Sequence, residues 1–237
     1  MNLLLSSEML IVACVFAALA NLRADAEDCR WRDPSAQLGG SRAHACGNGI
    51  AVRVSARGRI ETSNDESIWS EQPLGIRTFV RAVTYGNGLF VAVGGSYMDM
   101  RGVILTSPNG EAWIRRHRQN QINLYSIAYG QGLFVAVGDG GTIIISPDGV
   151  NWKKVCSGTS MALAAIAFGN GRFVAGGESG TIVTSTNTIE WTHQNLGSEV
   201  YVGRIVFQDA LFIAGNPDCA ISTQNGSLWL RQGAPRN

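Results

Sequence analysis

Five arginines, Arg53, Arg77, Arg101, Arg172 and Arg204, carry the chemistry that would be most specific if they met in space. A guanidinium group grips a carboxylate through two parallel hydrogen bonds, so several of them converging on one point would form an anion clamp. They lie in separate stretches of the 237-residue chain, and only a fold that gathers distant segments could unite them. Two local clusters need no such gathering. Gly95-Ser96-Tyr97-Met98-Asp99-Met100-Arg101-Gly102 mixes tyrosine, methionine and arginine, the types enriched in protein interfaces. Arg115-Arg116-His117-Arg118 is a compact cationic run suited to an anionic partner or glycan. Binding residues are therefore expected at Tyr97, Met98, Asp99, Met100, Arg101, Arg115, Arg116 and Arg118.

Other chemistries lack their constellations. His44, His117 and His193 stand far apart with no His-x-x-x-His spacing and no Asp-rich loop, so surface histidines are expected and no metal site. No constellation of paired carboxylates of the kind glycoside hydrolysis uses is visible in the sequence. No catalytic residue and no cofactor is expected. Four cysteines follow the N-terminal apolar segment, Cys29, Cys46, Cys156 and Cys219, and an even number in an exported chain suggests disulfides with three possible connectivities. A Cys29–Cys219 bridge would pin the chain ends together. Cys46 equally fits a buried apolar residue, because it aligns with Tyr129 and Phe168.

The address of the chain is read from its start. Met9 to Ala20 is a 12-residue apolar run, too short to span a bilayer comfortably, and Ala24-Asp25-Ala26 beyond it is a small-x-small cleavage site. Residues 1–26 are expected to be a signal peptide cleaved after Ala26, leaving no stable membrane span and a secreted or periplasmic protein. The remainder holds 18 basic and 16 acidic side chains, a net charge of +2. That balance gives no electrostatic footprint for nucleic acid.

The elements that must position any site are written as a repeat. One motif occurs five times: Ser63-Asn64-Asp65-Glu66-Ser67-Ile68-Trp69, Ser107 to Trp113, Ser146 to Trp152, Ser185 to Trp191 and Thr223 to Trp229. A hydroxyl stands six residues before each Trp and an Asp or Asn four before it: Asp65, Asn109, Asp148, Asn187 and Asn225. The steps between tryptophans are 44, 39, 39 and 38 residues, a period that marks a repeat architecture. Within the third unit, Leu124–Tyr129, Leu133–Val137, Thr142–Ile145 and Trp152–Val155 are short β-rich runs bounded by Gly, Asn or Asp. Four such runs make an antiparallel meander. No segment after the apolar leader has a convincing helical period.

Four-stranded sheets repeated about an axis make a β-propeller, and the chain has no polar capping repeats of the kind an open solenoid needs. The expected fold is all-β: a five-bladed β-propeller of four-stranded antiparallel blades over residues 43–237. An N-terminal segment, residues 27–42, closes the ring in this reading, with Trp31 at the repeat spacing before Trp69. The motif itself is a turn in which the Asp or Asn side chain binds following amides and a glycine such as Gly110 or Gly149 takes positive φ. Glu66 and Thr188 stand where that glycine is expected, so the first and fourth turns are expected to be less regular.

The sequence Ser-x-Asp-Gly-x-x-Trp resembles the Asp box of BNR repeats, found in sialidases and in many non-enzymatic propellers. Residues 43–229, with Ala128-Tyr129-Gly130-Gln131-Gly132-Leu133-Phe134-Val135-Ala136-Val137 as the clearest stretch, resemble repeats of secreted bacterial sialidase-like propellers and photosystem II assembly factors. The resemblance implies that the box sits on the turn between the third and fourth strands, away from the usual ligand face. It says little about activity, because function is grafted onto folds. A sialidase implies three converging arginines, a Tyr–Glu nucleophile pair, an Arg-Ile-Pro segment and six blades; the chain lacks the segment and the sixth unit. The expectation is a non-catalytic binding propeller that acts as a scaffold for a protein partner, with a carbohydrate ligand as the alternative and a sialidase-like hydrolase behind both.

Overall fold

The computed structural model describes residues 41–55, 57–75, 78–95, 102–119, 122–208, 210–216, 219–223 and 230–232. Residues 1–26, expected to be a signal peptide, and Cys29, Trp31, residues 96–101, Arg77, and Asn225 and Trp229 of the fifth motif lie outside them.

Each sequence unit folds into one four-stranded antiparallel sheet in chain order. The first holds β1 (Ser41–Gly47), β2 (Ile50–Ser55), β3 (Ile60–Ser63) and β4 (Ser70–Glu71). The second holds β5 (Phe79–Gly86), β6 (Leu89–Gly95), β7 (Gly102–Ser107) and β8 (Ile114–Gln119). The third holds β9 (Leu124–Gly130), β10 (Leu133–Gly138), β11 (Thr142–Ser146) and β12 (Lys153–Val155). The fourth holds β13 (Leu163–Gly169), β14 (Arg172–Gly177), β15 (Thr181–Ser185) and β16 (Thr192–Asn195). The fifth holds β17 (Arg204–Gln208), β18 (Leu211–Asn216), β19 (Cys219–Thr223) and β20 (Leu230–Gln232). The fold is a β-propeller.

Local sequence explains the hairpins. β1 and β2, β5 and β6, β9 and β10, and β13 and β14 are joined by a non-glycine residue at positive φ followed by glycine: Asn48-Gly49, Asn87-Gly88, Gln131-Gly132 and Asn170-Gly171. Two left-handed residues in a row are what a tight hairpin requires. The second and third strands bury nearly every residue, as in Phe134 to Gly138 and Thr181 to Ser185, because neighbouring sheets cover both of their faces.

Apolar cores fill the spaces between successive sheets. One joins Val52 and Ile60 of the first sheet to Phe90 and Leu105 of the second, and three equivalent cores join second to third, third to fourth and fourth to fifth. A repeated contact sets the spacing of the inner strands. The glycine closing one inner strand lies beneath the aromatic ring of the next: Gly47 under Tyr85, Gly86 under Tyr129, Gly130 under Phe168 and Gly169 under Phe207. An added Cβ would stand 2.1–2.4 Å from those rings, so only glycine allows the approach. Each ring also packs, tilted, on its ladder partner, as Tyr129 does on Phe134 at 4.7 Å between centroids. The first unit has Cys46 and Ala51 at these two positions.

One cysteine follows the disulfide expectation and one departs from it. Cys46 is half-buried and disulfide-bonded rather than a plain core residue, and any cysteine that pairs with it lies outside the described side chains. Cys156 is exposed and free, so it drops out as a disulfide candidate.

The motif turns are regular in all four units whose turns are described. The Asp or Asn oxygen accepts from two following amides: Asp65 from Ser67 and Ile68, Asn109 from Glu111 and Ala112, Asp148 from Val150 and Asn151, Asn187 from Ile189 and Glu190, all at 2.8–3.2 Å. The Ser hydroxyl donates to the same oxygen, and each indole N–H closes the turn on the carbonyl three residues back. The expected irregularity at Glu66 and Thr188 is corrected: they take φ of 61° and 62°, close to the 71° and 70° of Gly110 and Gly149. The hydrogen bonds hold an L-residue in the left-handed region and the backbone bears the strain.

Candidate functional site

The turns between first and second strands and the motif turns lie at one end of the propeller. The turns between second and third strands, and the loops from one sheet to the next, lie at the other, which is the mouth of a cavity of about 640 Å³. First strands of all five sheets line it: Ala43 and His44 on β1, Arg81 and Ala82 on β5, Tyr125 and Ser126 on β9, Ala164 and Ala165 on β13, and Arg204 to Val206 on β17.

A backbone device aims the most distinctive of these side chains. The ladder between first and second strands shifts register between Ser41 and Ala43, between Val80 and Ala82, at Tyr125, and between Leu163 and Ala165. The extra residues are Arg42, Arg81, Tyr125 and Ala164, one per sheet and each five residues before the closing glycine. A β-bulge redirects its side chain, and bulges recur beside functional sites. Three of the four bulge residues, Arg81, Tyr125 and Ala164, line the cavity; Arg42 is described only as backbone.

Around the third bulge the polar groups are tightly organised. Asp139 opens a single 3-10 turn after β10, and its carboxylate accepts from the Asn123 backbone N–H and side-chain amide, both at 2.9 Å, and from the Tyr125 hydroxyl. The Arg81 guanidinium lies over the Tyr125 ring at 4.8 Å, a cation–π contact that links the second sheet to the third. Burial, reinforced by Asp139, pushes the Tyr125 phenol well above its ordinary range, so it remains a neutral donor. The fourth sheet repeats the backbone arrangement with three changes of residue, Ala162 for Asn123, Ala164 for Tyr125 and Glu178 for Asp139. Glu178 opens the equivalent turn and accepts from the Ala162 N–H at 3.3 Å, but Ala164 stands where Tyr125 would be. Glu178 therefore lines the cavity, as does the half-exposed Tyr201.

The first three sheets give the cavity His44, Arg81 and Tyr125, and the fourth and fifth give it the small residues Ala162, Ala164, Ala165 and Gly203 together with Glu178, Tyr201 and Arg204. It can hold a polar, extended ligand through cationic and aromatic groups while leaving room over the small residues.

Of the residues expected to bind, Arg115 and Arg116 do not line this cavity. Tyr97 to Arg101 lie outside the described residues, between β6 and β7. Arg115, Arg116 and Arg118 lie on β8, an outer strand far from the axis in its sheet. Among the described arginines of the set no clamp assembles: Arg53 is held by Glu61 and stacks on Trp69, Arg172 begins β14 at the motif end, and Arg204 reaches the cavity. His44 is not a surface histidine but half-buried in the cavity wall. The signal for Arg81 and Tyr125 was present as the column Arg42, Arg81, Tyr125, Ala164, Gly203, a place in the repeat where the units differ in chemistry.

No protein-family model matches the chain, and no curated protein matches it. Solved structures do. YCF48 from Cyanidioschyzon merolae aligns at a TM-score of 0.60 and 14% identity, covering 81% of this chain and 72% of that one. YCF48 bound to D1 peptide aligns at 0.59 and 16%, covering 81% of this chain and 66% of that one, just under two thirds of its length. A catalytically inactive virginiamycin B lyase from Staphylococcus aureus with quinupristin aligns at 0.70 and 11%, covering 92% of this chain and 74% of the other. At these identities the likeness is one of fold, and the fold is that of the β-propellers.

Proposed function

We propose that this chain is a non-catalytic β-propeller of the Asp-box kind that binds an extended segment of a partner protein at the mouth of its axial cavity. The observation that carries the reading is the set of bulges: the backbone departs from its ladder at the same place in four sheets, and three of the displaced side chains line one cavity. A structural repeat needs no such departure, whereas a site on a rigid scaffold does. A structural neighbour with the same fold is a propeller bound to a peptide, which supports a peptide-sized ligand for a cavity of this shape. Catalysis is not part of the proposal, since Asp139 is occupied by Asn123 and Tyr125, and Arg81 by the Tyr125 ring. The apolar leader makes the site an extracytoplasmic one in this reading, secreted or periplasmic, with residues 1–26 removed.

Capture with the mature chain from extracts of its source cells, after chemical cross-linking, tests the reading. Partners retained by the wild type should fall at least tenfold with Arg81→Ala and Arg204→Ala combined, in a variant that still unfolds cooperatively. Equal capture by the variant would remove the cavity as the site. Reproducible, sugar-competable binding on a glycan array would replace the protein ligand with a carbohydrate.

A further inference from the structure

Beyond the cavity, the circumference of the propeller carries a second departure from the repeat. The outermost strand of a propeller sheet is an edge, and its outward N–H and C=O groups are a template for another strand. Outer strands β4, β12, β16 and β20 are short, two, three, four and three residues, which is how natural sheets blunt their edges. β8 runs for six residues, Ile114–Gln119, and no strand lies beyond it among the described residues. It also contains Arg115, Arg116 and Arg118. Arg116 is the extra residue of a bulge against β7 and is fixed there by donating from Nε to Thr106 Oγ1 at 2.8 Å. Ile114, at the start of the strand, is 49% exposed.

We propose that β8 is a docking edge on which an extended acidic segment of a partner protein adds as a fifth strand of the second sheet. Strand addition draws affinity from main-chain hydrogen bonds and specificity from alternate side chains. The cationic run chooses the occupant. A second copy of β8 would set arginines against arginines, which is repulsive across a strand pair, whereas Asp and Glu at alternate positions meet opposite charge. The edge lies on the circumference and the cavity on the axis, so the two surfaces are separate and one partner can engage both.

A ten-residue peptide alternating Glu with Val tests the edge against the full mature chain. At 50 mM salt it should bind, weaken at least tenfold at 500 mM salt, and protect the amides of residues 114–119 from hydrogen exchange. The fully N-methylated peptide keeps the charge and has no donors, so its binding should be at least tenfold weaker. Arg115→Glu with Arg118→Glu should abolish binding in a variant that still unfolds cooperatively, and Arg81→Ala should leave it intact, so a failure here is distinct from a failure at the cavity. Absent binding at low salt, equal affinity of the N-methylated peptide, or protection confined to the inner strands would each overturn the proposal.

Discussion

The two ends of this propeller obey different rules. At the motif end four described turns carry the same hydrogen bonds although their residues differ: Asp or Asn accepts, and Gly, Glu or Thr takes positive φ. At the mouth the backbone bulge recurs while the side chain it presents changes from Arg81 to Tyr125 to Ala164. Conformity marks what every sheet needs for packing against its neighbour. Divergence on a conserved backbone device marks what the molecule presents to a ligand.

The largest effect that can break this comparison is on stability at the motif end. Trp152 packs against the core between second and third sheets and donates to the Gly149 carbonyl at 3.0 Å. Trp152→Ala should cost about 3 kcal/mol, the lower end for a large aromatic because the ring is half-buried. Chemical denaturation of the variant measures it. Ala at Arg81, at the other end, should cost less, about 1–2 kcal/mol, as its cation–π contact with Tyr125 is half-buried. Equal costs at the two places would erase the distinction.

A smaller effect is expected on the inner strands between the two ends. Gly130→Ala places a Cβ 2.2 Å from the Phe168 ring, so the ring must move and the sheets must separate slightly. Overpacking of this kind costs about 1–3 kcal/mol. The same change at Gly132, where φ is 75° and nothing lies within 4 Å, costs only the strain of an L-residue in the left-handed region, about 1–2 kcal/mol. Truncating Phe168 to Leu alongside Gly130→Ala should recover part of the first loss and none of the second. Denaturation of the double variants decides whether contact or conformation is at work.

Most of the fold was legible in the sequence because packing is periodic. The four strands of the third unit fall within a residue or so of their expected spans: Leu124–Gly130, Leu133–Gly138, Thr142–Ser146 and Lys153–Val155. The site was much less legible. Arg115 and Arg116 stand out as a run in the sequence, yet they lie on an outer strand, while Arg81 and Tyr125 are single residues inside otherwise ordinary strands. A bulge has no composition of its own, and Asp139 reads as a turn residue until its carboxylate is seen holding Tyr125 and Asn123. The positive φ of Glu66 and Thr188 was hidden for a related reason: a hydrogen-bonded turn imposes its geometry on whichever residue occupies it. Glu66→Gly should therefore stabilise by about 0.5–1 kcal/mol, since it relieves left-handed strain at a half-exposed position with little packing to lose.

The smallest expected effect separates turns that look alike. Asp65 and Asp148 accept backbone bonds from Ile68 and Ser67 and from Asn151 and Val150, and these bonds hold both carboxyls far below the usual carboxylate range. Asn109 and Asn187 make the same bonds without a charge. A carboxyl whose folded pKa is depressed stabilises the fold above its unfolded value near 4 and loses that contribution as pH falls below it. The first and third turns should therefore weaken in acid while the second and fourth do not. Asp65→Asn with Asp148→Asn should flatten the decline of melting temperature between about pH 5 and pH 2, with little change at pH 7. An undiminished acid slope in that double variant would mean that the turns are held by geometry alone, and that charge at the motif end is as interchangeable as the residue at positive φ.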